Sequence, residues 1–402
     1  METKLTKPLE GVRVLDIGTL LAGPWGATLL GDFGAEVIKV EQPKTGDSLR
    51  GAPRNGEPGN PLNWLIDSRN KKSITLNLRS SEGQQVLREL ICASDVLFEN
   101  FRPGTLEKWG LGWDTIHDLN RNLIMVRVSG YGQTGPYSDR PGYDRIALGF
   151  SGYMYPTGFP DRYPVRPAFA TADYNTATFG AYAAMLALYA RDVKKESGQL
   201  IDLALYEPPF RITSNLVASW KATGENRERI GNRNPGFSPA GTFETKDKRF
   251  IQIAAGGDNV WQRLAGVIGG EALSNDPRYT TSRDRIKRSD ELETLIQDWI
   301  GLRDFLEVEE KLVGADVPVG GIYRASDIAD DPHYRERESL INFEDPVHGT
   351  VSMPGIVPKL SKTPGSIEWT GPDLGSHNEE IYGTLLGKSE AEIKALEQEG
   401  VI

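Results

Sequence analysis

The chain has 402 residues, yet it contains only one cysteine, Cys92, and four histidines. One cysteine cannot form an internal disulfide, and its apolar neighbours in residues 90–93 favour a small buried side chain over a nucleophile. The histidines are far apart in sequence and have no cysteine partners, so no metal-ligand spacing is present. We therefore predict no metal site.

Long apolar runs are also absent. No segment approaches the roughly 18–20 apolar residues that a membrane span needs, and residues 1–8 contain no apolar signal region. The net charge of −10 argues against a nucleic-acid partner, although local basic pockets for a phosphorylated small molecule stay compatible with it. With 38% hydrophobic and 25% charged residues, the composition is typical of a globular protein, which we predict to be cytoplasmic and not bound to a membrane.

A third absence concerns nucleotide cofactors. Residues 12–17 and 36–41 are predicted strands, and the amphipathic segment from Gly23 to Leu30 between them completes a β-α-β unit with parallel strands. The G-x-G-x-x-G fingerprint of dinucleotide sites is missing after the first strand, where residues 18–24 read GTLLAGP. A nicotinamide or flavin enzyme is thus disfavoured, and we predict no tightly bound cofactor.

Two further strands run directly into loops suited to binding. Residues 95–99 lead into 100–104 (NFRPG), and residues 123–128 lead into the glycine-bearing loop 129–136. In α/β proteins, ligands bind outside the carboxyl ends of such strands, and the backbone amides of the second loop suit a thioester or a phosphate. A plain turn explains that glycine loop equally well.

The chain divides by composition into three parts. Residues 224–236 are polar and glycine-bearing, as in a linker between domains, and residues 241–253 and the amphipathic segments 259–268, 290–301 and 304–313 after them predict a smaller α+β domain. Two proline-bearing segments, 318–321 and 331–333, indicate a second linker. We predict a large domain over 1–223, a small domain over 224–328 and a return of 329–402 to the large domain.

A long helix is predicted over residues 175–196. Phe179, Tyr182, Leu186 and Tyr189 fall three or four residues apart, which puts them on one face and predicts a buried helix, with Gly198 as its left-handed terminator. Asp173 stands at the electropositive end of this helix. On these residues alone, the pattern favours a helix cap in which Asp173 accepts a backbone N–H.

The ordered set of motifs resembles the class III CoA-transferases, the family that includes formyl-CoA:oxalate and carnitine CoA-transferases. The resemblance covers nearly the whole chain. The matching motifs are residues 8–16 (PLEGVRVLD), 22–24 (AGP), 34–41 (GAEVIKVE), 46–47 (GD), 70–71 (NK), 99–104 (ENFRPG), 130–136 (GYGQTGP), 142–144 (GYD), Asp173, 276–279 (DPRY) and 331–333 (DPH).

This resemblance implies a fold and a nucleophile. It implies a Rossmann-like large domain built from both chain ends, a small domain between them, and two protomers threaded through one another as an interlocked dimer. It also makes Asp173 the nucleophile, which forms a mixed anhydride with the acyl group and then an aspartyl-CoA thioester, without ATP or metal. The helix N-terminus would help to keep Asp173 ionised by about 0.3–1 kcal/mol.

The resemblance also implies the residues that contact CoA, whose phosphates suit arginine and lysine partners. Surface charges exposed to solvent are the alternative for Arg79 and Lys108. Carried over by position, the CoA contacts are Leu21, Ala22, Gln42, Leu76, Asn77, Leu78, Arg79, Asn100, Phe101, Arg102 and Lys108. Tyr143 and Asp144 match an aromatic and acidic pair beside the nucleophile, with a structural turn as the alternative.

The chain departs from the oxalate enzymes at two positions. Leu21 stands where they carry glutamine, and Ala52 stands where they carry tryptophan, which favours an acceptor larger than oxalate. Arg162 and Arg166 precede Asp173, and we hypothesise that one of them pairs with the distal carboxylate of a dicarboxylic acid, with succinyl-CoA as donor. The alternative is that both arginines face solvent.

Two other functions remain open from the sequence. An acyl-CoA racemase or epimerase of the same superfamily needs a base beside the aspartate and carries histidine where this chain has Tyr143. A non-catalytic CoA-binding subunit of a hetero-oligomer would lack the nucleophile. The favoured prediction is a CoA-transferase acting on an acyl-CoA and a carboxylic acid as a homodimer, with a heterodimer as the alternative.

Overall fold

The structure is a computed structural model that describes residues 7–51 and 60–402. Ala52, where the sequence departs from the oxalate enzymes, lies outside the described residues. The first elements along the chain are β1 (Arg13–Asp16), α1 (Pro24–Gly31), β2 (Glu36–Glu41), α2 (Leu62–Asp67), β3 (Lys71–Thr75), α3 (Ser81–Cys92), β4 (Val96–Glu99), α4 (Thr105–Lys108), α5 (Trp113–Leu119), β5 (Ile124–Ser129), α6 (Asp144–Phe150), α7 (Thr171–Lys194), β6 (Leu200–Ala204) and α8 (Glu207–Ile212).

The remaining elements continue to the C-terminus. They are α9 (Leu216–Thr223), β7 (Ala240–Glu244), β8 (Phe250–Ala254), α10 (Asp258–Ser274), α11 (Ser282–Lys287), α12 (Ser289–Gly301), α13 (Phe305–Gly314), β9 (Val319–Gly321), α14 (Ala325–Asp330), α15 (Pro332–Glu336), β10 (Leu340–Asp345), β11 (Gly349–Pro354) and α16 (Glu390–Gln398). Two short 3₁₀ turns, Ser48–Arg50 and Pro277–Tyr279, and a π-helical turn, Glu379–Leu385, complete the set.

The chain forms two compact units. The first contains residues up to Tyr153, residues 166–215 and residues 335–402. The second contains residues 154–165 and 216–334.

A six-stranded parallel sheet forms the centre of the first unit. Its strand order is β3-β2-β1-β4-β5-β6. In the middle strand, Leu15 pairs with Ile38 on one side and with Leu97 on the other. The nearly continuous burial of β1, β2, β4 and β5 is what a parallel sheet covered on both faces requires. The predicted α/β class with parallel strands is thereby confirmed.

The C-terminal residues pack on the same unit as the first strand. Ile381, Tyr382, Val401 and Ile402 belong to the hydrophobic core that contains Leu15. The Tyr382 hydroxyl also donates a 2.6 Å hydrogen bond to the carbonyl oxygen of Thr75, at the end of β3. Both ends of the described chain therefore contribute to one core.

The second unit has its own core around a three-stranded antiparallel sheet, ordered β7-β8-β9. Residues of α10, α12 and α13 pack on it, including Trp261, Ile296 and Leu312, each with no exposed surface. The predicted hairpin over 241–253 and the three predicted helices lie in this unit.

The long helix α7 starts four residues before its predicted start, and the prediction of its buried face was wrong. Tyr182, Leu186 and Tyr189 are 59%, 53% and 56% exposed in the chain. The buried face carries small residues instead: Ala172, Thr176, Ala177, Gly180, Ala181, Ala184 and Ala187, with Leu188. This face carries small side chains because α1 packs closely against it. A Cβ added to Gly26 of α1 would lie 2.9 Å from the carbonyl oxygen of Ala177.

The predicted end of α7 also needs correction. Lys195, with φ 62°, is the left-handed residue that ends the helix. Gly198 instead allows a close backbone approach, because a Cβ there would lie 2.0 Å from the carbonyl oxygen of Leu123.

Cys92 is exposed, so its prediction as a core residue was wrong. It is the last residue of α3, whose buried residues Val86, Leu87, Leu90 and Ile91 lie on the opposite face. In the part of the chain that the structure describes, no helix is both long and apolar enough to cross a bilayer.

Candidate active site

Asp173 lies in the first turn of α7 and does not cap it. Within residues 7–51 and 60–402, no hydrogen-bond donor contacts its carboxylate. The cap comes from another helix: Oδ1 of Asp144, the first residue of α6, accepts the backbone N–H of Ala172 at 2.7 Å. The interpretation of Asp173 as a helix cap is therefore wrong, and its carboxylate does not stabilise the start of α7 by hydrogen bonding.

Burial sets the protonation of Asp173. Loss of solvent raises the pKa of its carboxyl from 3.8 to about 7, and the negative charge of Asp144 adds to the increase. The predicted stabilisation of the ionised form by the helix N-terminus is outweighed by these two effects. A carboxylate that is half ionised near neutral pH and poorly solvated is a stronger nucleophile than a surface aspartate.

Asp173 opens onto a cavity of about 270 Å³ in the first unit. Loops at the carboxyl ends of β1, β4, β5 and β6 build this cavity, as expected for a parallel α/β sheet. Its lining residues are Thr19, Leu20, Leu21, Ala22, Ser48, Asn100, Phe101, Arg102, Pro103, Val128, Ser129, Gly130, Arg140, Pro141, Gly142, Tyr143, Asp173 and Leu205. Five of the predicted CoA contacts (Leu21, Ala22, Asn100, Phe101 and Arg102) are therefore brought together with Asp173.

Backbone amides in this cavity are unpaired. Leu21 and Ala22 line it, and in the described chain neither backbone N–H donates a hydrogen bond. Thr19, two residues before Leu21, is held in place, because the side chain of Asn100 accepts the N–H of Thr19 at 2.8 Å and donates to its carbonyl oxygen at 2.7 Å. Fixed, unpaired N–H groups are suited to stabilise an oxyanion.

Tyr143 and Asp144 lie on either side of the start of α6. Tyr143 is 68% exposed and lines the cavity, whereas Asp144 packs behind it as the cap of α7. Nη1 of Arg166 lies 3.7 Å from Oδ2 of Asp144, so the positive charge of Arg166 partly neutralises the negative charge of Asp144.

A second cavity of about 530 Å³ lies next to the first. Thr19, Ser48 and Phe101 line both cavities. Of the predicted CoA contacts, Gln42, Leu76, Leu78 and Arg79 line it. The combined surface runs from Asp173 past Phe101 to two basic side chains, Lys44 and Arg79.

Three predicted site residues lie elsewhere. Asn77 and Lys108 line neither cavity, and Lys108 is exposed at the end of α4. Arg162 belongs to the second unit, where its closest ion-pair partner among the described residues is the adjacent Asp161, at 3.9 Å.

Sequence reasoning assigned no site role to four polar residues that line the Asp173 cavity: Thr19, Ser48, Ser129 and Arg140. Arg140 lines the cavity, and its guanidinium lies 3.7 Å from the centroid of the Tyr137 ring. Ser129 is 6% exposed, and its Oγ has no hydrogen-bond partner in the described structure. Ser129 directly precedes the GYGQTGP motif and Arg140 lies four residues after it, and this proximity to the motif was the available signal.

The described residues contain no group of three or more histidine, cysteine, aspartate or glutamate side chains placed to hold a metal ion. The chemistry that the site offers is that of one buried carboxylate, the neighbouring amides and a set of cations.

Comparison with known proteins identifies the family. The model of CoA-transferase family III matches residues 9–378. The chain belongs to this family. It is 44% identical over 398 residues to succinyl-CoA–D-citramalate CoA-transferase of Chloroflexus aurantiacus, covering 98% of each chain. It is also 44% identical over 406 residues to the beta subunit of succinyl-CoA–L-malate CoA-transferase of the same organism, covering 100% of this chain and 99% of that protein.

A solved structure supports the same assignment for this family III CoA-transferase. A CAIB/BAIF family protein from Brucella suis superposes with a TM-score of 0.84 at 31% identity, covering 94% of this chain and all of the other. The mixed α/β fold and the predicted enzyme class are both confirmed by these comparisons.

Proposed function

We propose that this enzyme moves CoA from succinyl-CoA to an acceptor organic acid through covalent intermediates on Asp173. We propose that the acceptor is a dicarboxylic acid. The observation that carries the proposal is the partly buried carboxylate of Asp173, which accepts no hydrogen bond from the described residues and opens onto a cavity lined by unpaired amides. A carboxylate with a structural role would be expected to be hydrogen-bonded.

The reaction consists of four balanced exchanges. An oxygen of Asp173 attacks the thioester carbonyl, CoA leaves as thiolate, and a mixed anhydride forms. The thiolate then attacks the Asp173 carbonyl carbon and releases the donor acid as carboxylate, which leaves an aspartyl-CoA thioester. The acceptor carboxylate reverses both steps and regenerates Asp173. No net proton, electron or ATP is consumed.

The amides of Leu21 and Ala22 would stabilise the oxyanion of each tetrahedral intermediate. They lie in the cavity of Asp173 and lack internal acceptors in the described structure. Losing one such donor typically costs an enzyme on the order of 10²–10³ in kcat.

CoA would occupy the second cavity. Gln42, Leu76, Leu78 and Arg79 line it, and Phe101 lies where it meets the Asp173 cavity. Arg79 and Arg102 would pair with phosphates through bidentate hydrogen bonds. Asn77 and Lys108 would contribute only at the periphery of this site, since neither lines a cavity.

The choice of a dicarboxylic acid rests on the named substrates of the relatives, succinyl-CoA with D-citramalate or L-malate. Arg166 is the residue that we propose for the distal carboxylate, with Arg162 as the alternative. Arg166 lies beside Asp144, next to the nucleophile, so a substrate carboxylate would compete with Asp144 for its guanidinium. Initial rates of Arg166→Ala on dicarboxylic and monocarboxylic acids test this role; equal losses on both would contradict it.

For the assembly, we propose an interlocked homodimer, with a heterodimer as the alternative because one relative is a beta subunit. An exposed apolar stripe on α7 supports a partner chain, since contiguous exposed apolar side chains mark interaction surfaces. It is formed by Tyr182, Met185, Leu186, Tyr189 and Val193. The strand order β3-β2-β1-β4-β5-β6 supports a Rossmann-like description of the sheet.

Trapping with hydroxylamine during turnover tests the proposed nucleophile. We expect a mass adduct on Asp173 in the wild-type enzyme given succinyl-CoA, and none in Asp173→Ala. Asp144→Asn is the matched control because it changes the neighbouring carboxylate and leaves the nucleophile in place. An adduct on another carboxylate, or CoA transfer by Asp173→Ala, would refute the proposal. Solvent deuterium at the α-carbon without CoA exchange would favour the racemase alternative.

A further inference from the structure

The loop between β1 and α1 has an unfavourable backbone conformation beside the nucleophile. Leu20 has φ 61°, in the left-handed region, and it lines the cavity of Asp173. For a residue other than glycine, this conformation is unfavourable and requires support from its surroundings. The next two residues, Leu21 and Ala22, present the unpaired amides.

Asp47 provides this support from the turn after β2. Its Oδ1 accepts the backbone N–H of Leu20 at 3.1 Å and the N–H of Leu49 at 2.7 Å. Asp47 thus ties the strained residue to the turn that carries Ser48, which lines both cavities.

The side chain of Lys39, on β2, holds the carboxylate of Asp47 in place. Its Nζ lies 2.9 Å from Oδ2 of Asp47 and 3.7 Å from Oδ1 of Asp16, and it donates a hydrogen bond to the carbonyl oxygen of Gly18. Only 1% of the Lys39 side chain is exposed. One buried ammonium therefore contacts both the residue that begins the strained loop and the carboxylate that supports it.

We propose that Lys39 and Asp47 are positioning residues that hold the loop 18–22 so that the amides of Leu21 and Ala22 face the acyl group on Asp173. This inference rests on the proposed function. Lys39 lines neither cavity. Asp47 borders the second cavity, but only 2% of its side chain is exposed, and both residues act through the backbone of Gly18 and Leu20. Asn100 holds Thr19 from the other side, so three side chains fix three consecutive residues of the loop.

The charges in this network are retained at neutral pH. Burial alone would raise the pKa of Asp47, but Lys39 and the N–H donors of Leu49 and Leu20 bring that pKa below its ordinary value. Burial alone would lower the pKa of Lys39, but Asp16, Asp47 and Glu41 bring it above its ordinary value. Two further cations pack against these carboxylates: Lys71 pairs with Asp16 at 2.9 Å, and Arg50 pairs with Glu41 at 2.6 Å.

The experiment uses Asp47→Asn, which keeps an oxygen that can accept the N–H of Leu20 but removes the charge that Lys39 holds. We expect kcat for CoA transfer from succinyl-CoA to fall about 10- to 100-fold, with KM for succinyl-CoA changing less than about threefold. Asp47→Ser is the second variant should the asparagine variant fold poorly.

Asp32→Asn is the matched control. Asp32 is another buried carboxylate of the first unit, paired with Arg69 at 2.6 Å, and it lines neither cavity. We expect it to lower thermal stability while kcat per folded enzyme stays within about twofold. If Asp47→Asn keeps wild-type kcat, or behaves as Asp32→Asn does, the inference is overturned.

A rescue variant distinguishes positioning from general destabilisation. Asparagine adopts the left-handed region more readily than leucine, so the fold-loss in kcat caused by Asp47→Asn should be several times smaller in a Leu20→Asn background. An equal loss in both backgrounds would contradict the role assigned to Leu20.

Hydrogen exchange gives a readout that does not need CoA transfer. We expect the amide of Leu20, whose acceptor is the Asp47 carboxylate, to exchange at least tenfold faster in Asp47→Asn than in Asp32→Asn. If the wild-type enzyme transfers no CoA but this difference is seen, the proposed function fails and the positioning role stands. If CoA is transferred and the exchange rates are equal, the positioning role fails alone.

Discussion

The carboxylate of Asp144 accepts the backbone N–H of Ala172 at 2.7 Å, one residue before Asp173 in the same helix turn. Capping of α7 and the proposed nucleophilic attack are thereby divided between two aspartates. The separation has an electrostatic consequence, because the charge of Asp144 adds to the effect of burial in raising the pKa of Asp173 to about 7. Asp144 therefore influences the pH at which the nucleophile is ionised.

This relationship predicts a pH shift in Asp144→Asn. The wild-type kcat/KM should rise with pH and level off above an apparent pKa of about 7, as Asp173 ionises. Removing the negative charge of Asp144 makes ionisation of Asp173 easier, so the limb should move to lower pH. The measurement is kcat/KM against pH from 5 to 9. An unchanged limb would contradict the electrostatic role.

The alanine variant separates the charge from the cap. Asp144→Ala should move the limb in the same direction as Asp144→Asn, because both remove the charge. It should also lose about 1 kcal/mol of stability, since Ala172 then lacks its acceptor. Chemical denaturation of both variants checks this difference.

The raised pKa of Asp173 also predicts a gain in stability on its removal. A carboxyl with a higher pKa in the folded state binds more protons folded than unfolded between about pH 4 and pH 7, so its unfavourable contribution grows as pH rises through that window. Asp173→Asn should therefore be more stable than wild type at pH 8, by on the order of 1–3 kcal/mol. The difference should shrink towards pH 4. Denaturant unfolding at both pH values provides the measurement, and a variant less stable than wild type at pH 8 would contradict the prediction.

The strands of the sheet could be predicted from the sequence because buried parallel strands are short apolar runs bounded by glycine or polar loops. The strand predicted over 36–41 coincides with β2, and those over 95–99 and 123–128 lie within one residue of β4 and β5 at either end. The loops after these strands were recognised for the same reason, since each follows a strand end.

The face of α7 could not be predicted in this way. Hydrophobicity favours burying Tyr182 and Leu186, but the close approach of α1 to α7 favours small side chains on the buried face. Sequence periodicity does not contain that distance. The resemblance to the family placed Leu21, Ala22 and Asn100 near Asp173. The contacts of Lys39 could not be predicted, because they depend on the pairing of β1 with β2 and on the turn that brings Asp47 back to Lys39, and no local pattern encodes either.

Close packing of α1 on α7 makes Gly26 sensitive to substitution. Alanine normally favours a helix over glycine by up to about 1 kcal/mol. At Gly26, however, the added Cβ would lie 2.9 Å from both the Ala177 carbonyl oxygen and Phe98 Cε1, so Gly26→Ala should destabilise the protein by about 1–3 kcal/mol. The control is Gly266→Ala in α10, where a Cβ meets nothing within 4 Å and a small gain is expected. Denaturant unfolding of both variants tests the pair, and equal effects would contradict the packing argument.

The buried hydroxyl of Ser129 predicts a stability change of the opposite kind. Its Oγ lacks a hydrogen-bond partner in the described structure, and an unpaired buried polar group costs about 1–3 kcal/mol. Ser129→Ala should therefore leave the melting temperature unchanged or raise it. Ser73→Ala is the comparison, because Ser73 Oγ donates to Glu41 at 2.6 Å and accepts the N–H of Gly375 at 3.0 Å, and its loss should lower stability. A drop for Ser129→Ala as large as that for Ser73→Ala would show that Ser129 has a partner.

The exposed stripe on α7 supplies the last prediction, which concerns assembly. Leu186 is 53% exposed between Tyr182 and Tyr189 on one helix face, so a second chain covering this face would bury all three side chains. Leu186→Glu would place a charge in that contact without disturbing the alanine face that packs inside the first unit. We expect it to lower the molar mass measured by light scattering from that of a dimer to that of a single chain, or to prevent soluble assembly. Leu302→Glu, at a leucine that is 75% exposed after the end of α12, is the control and should leave the mass unchanged. A Leu186→Glu protein that keeps the dimer mass would place the interface on another surface.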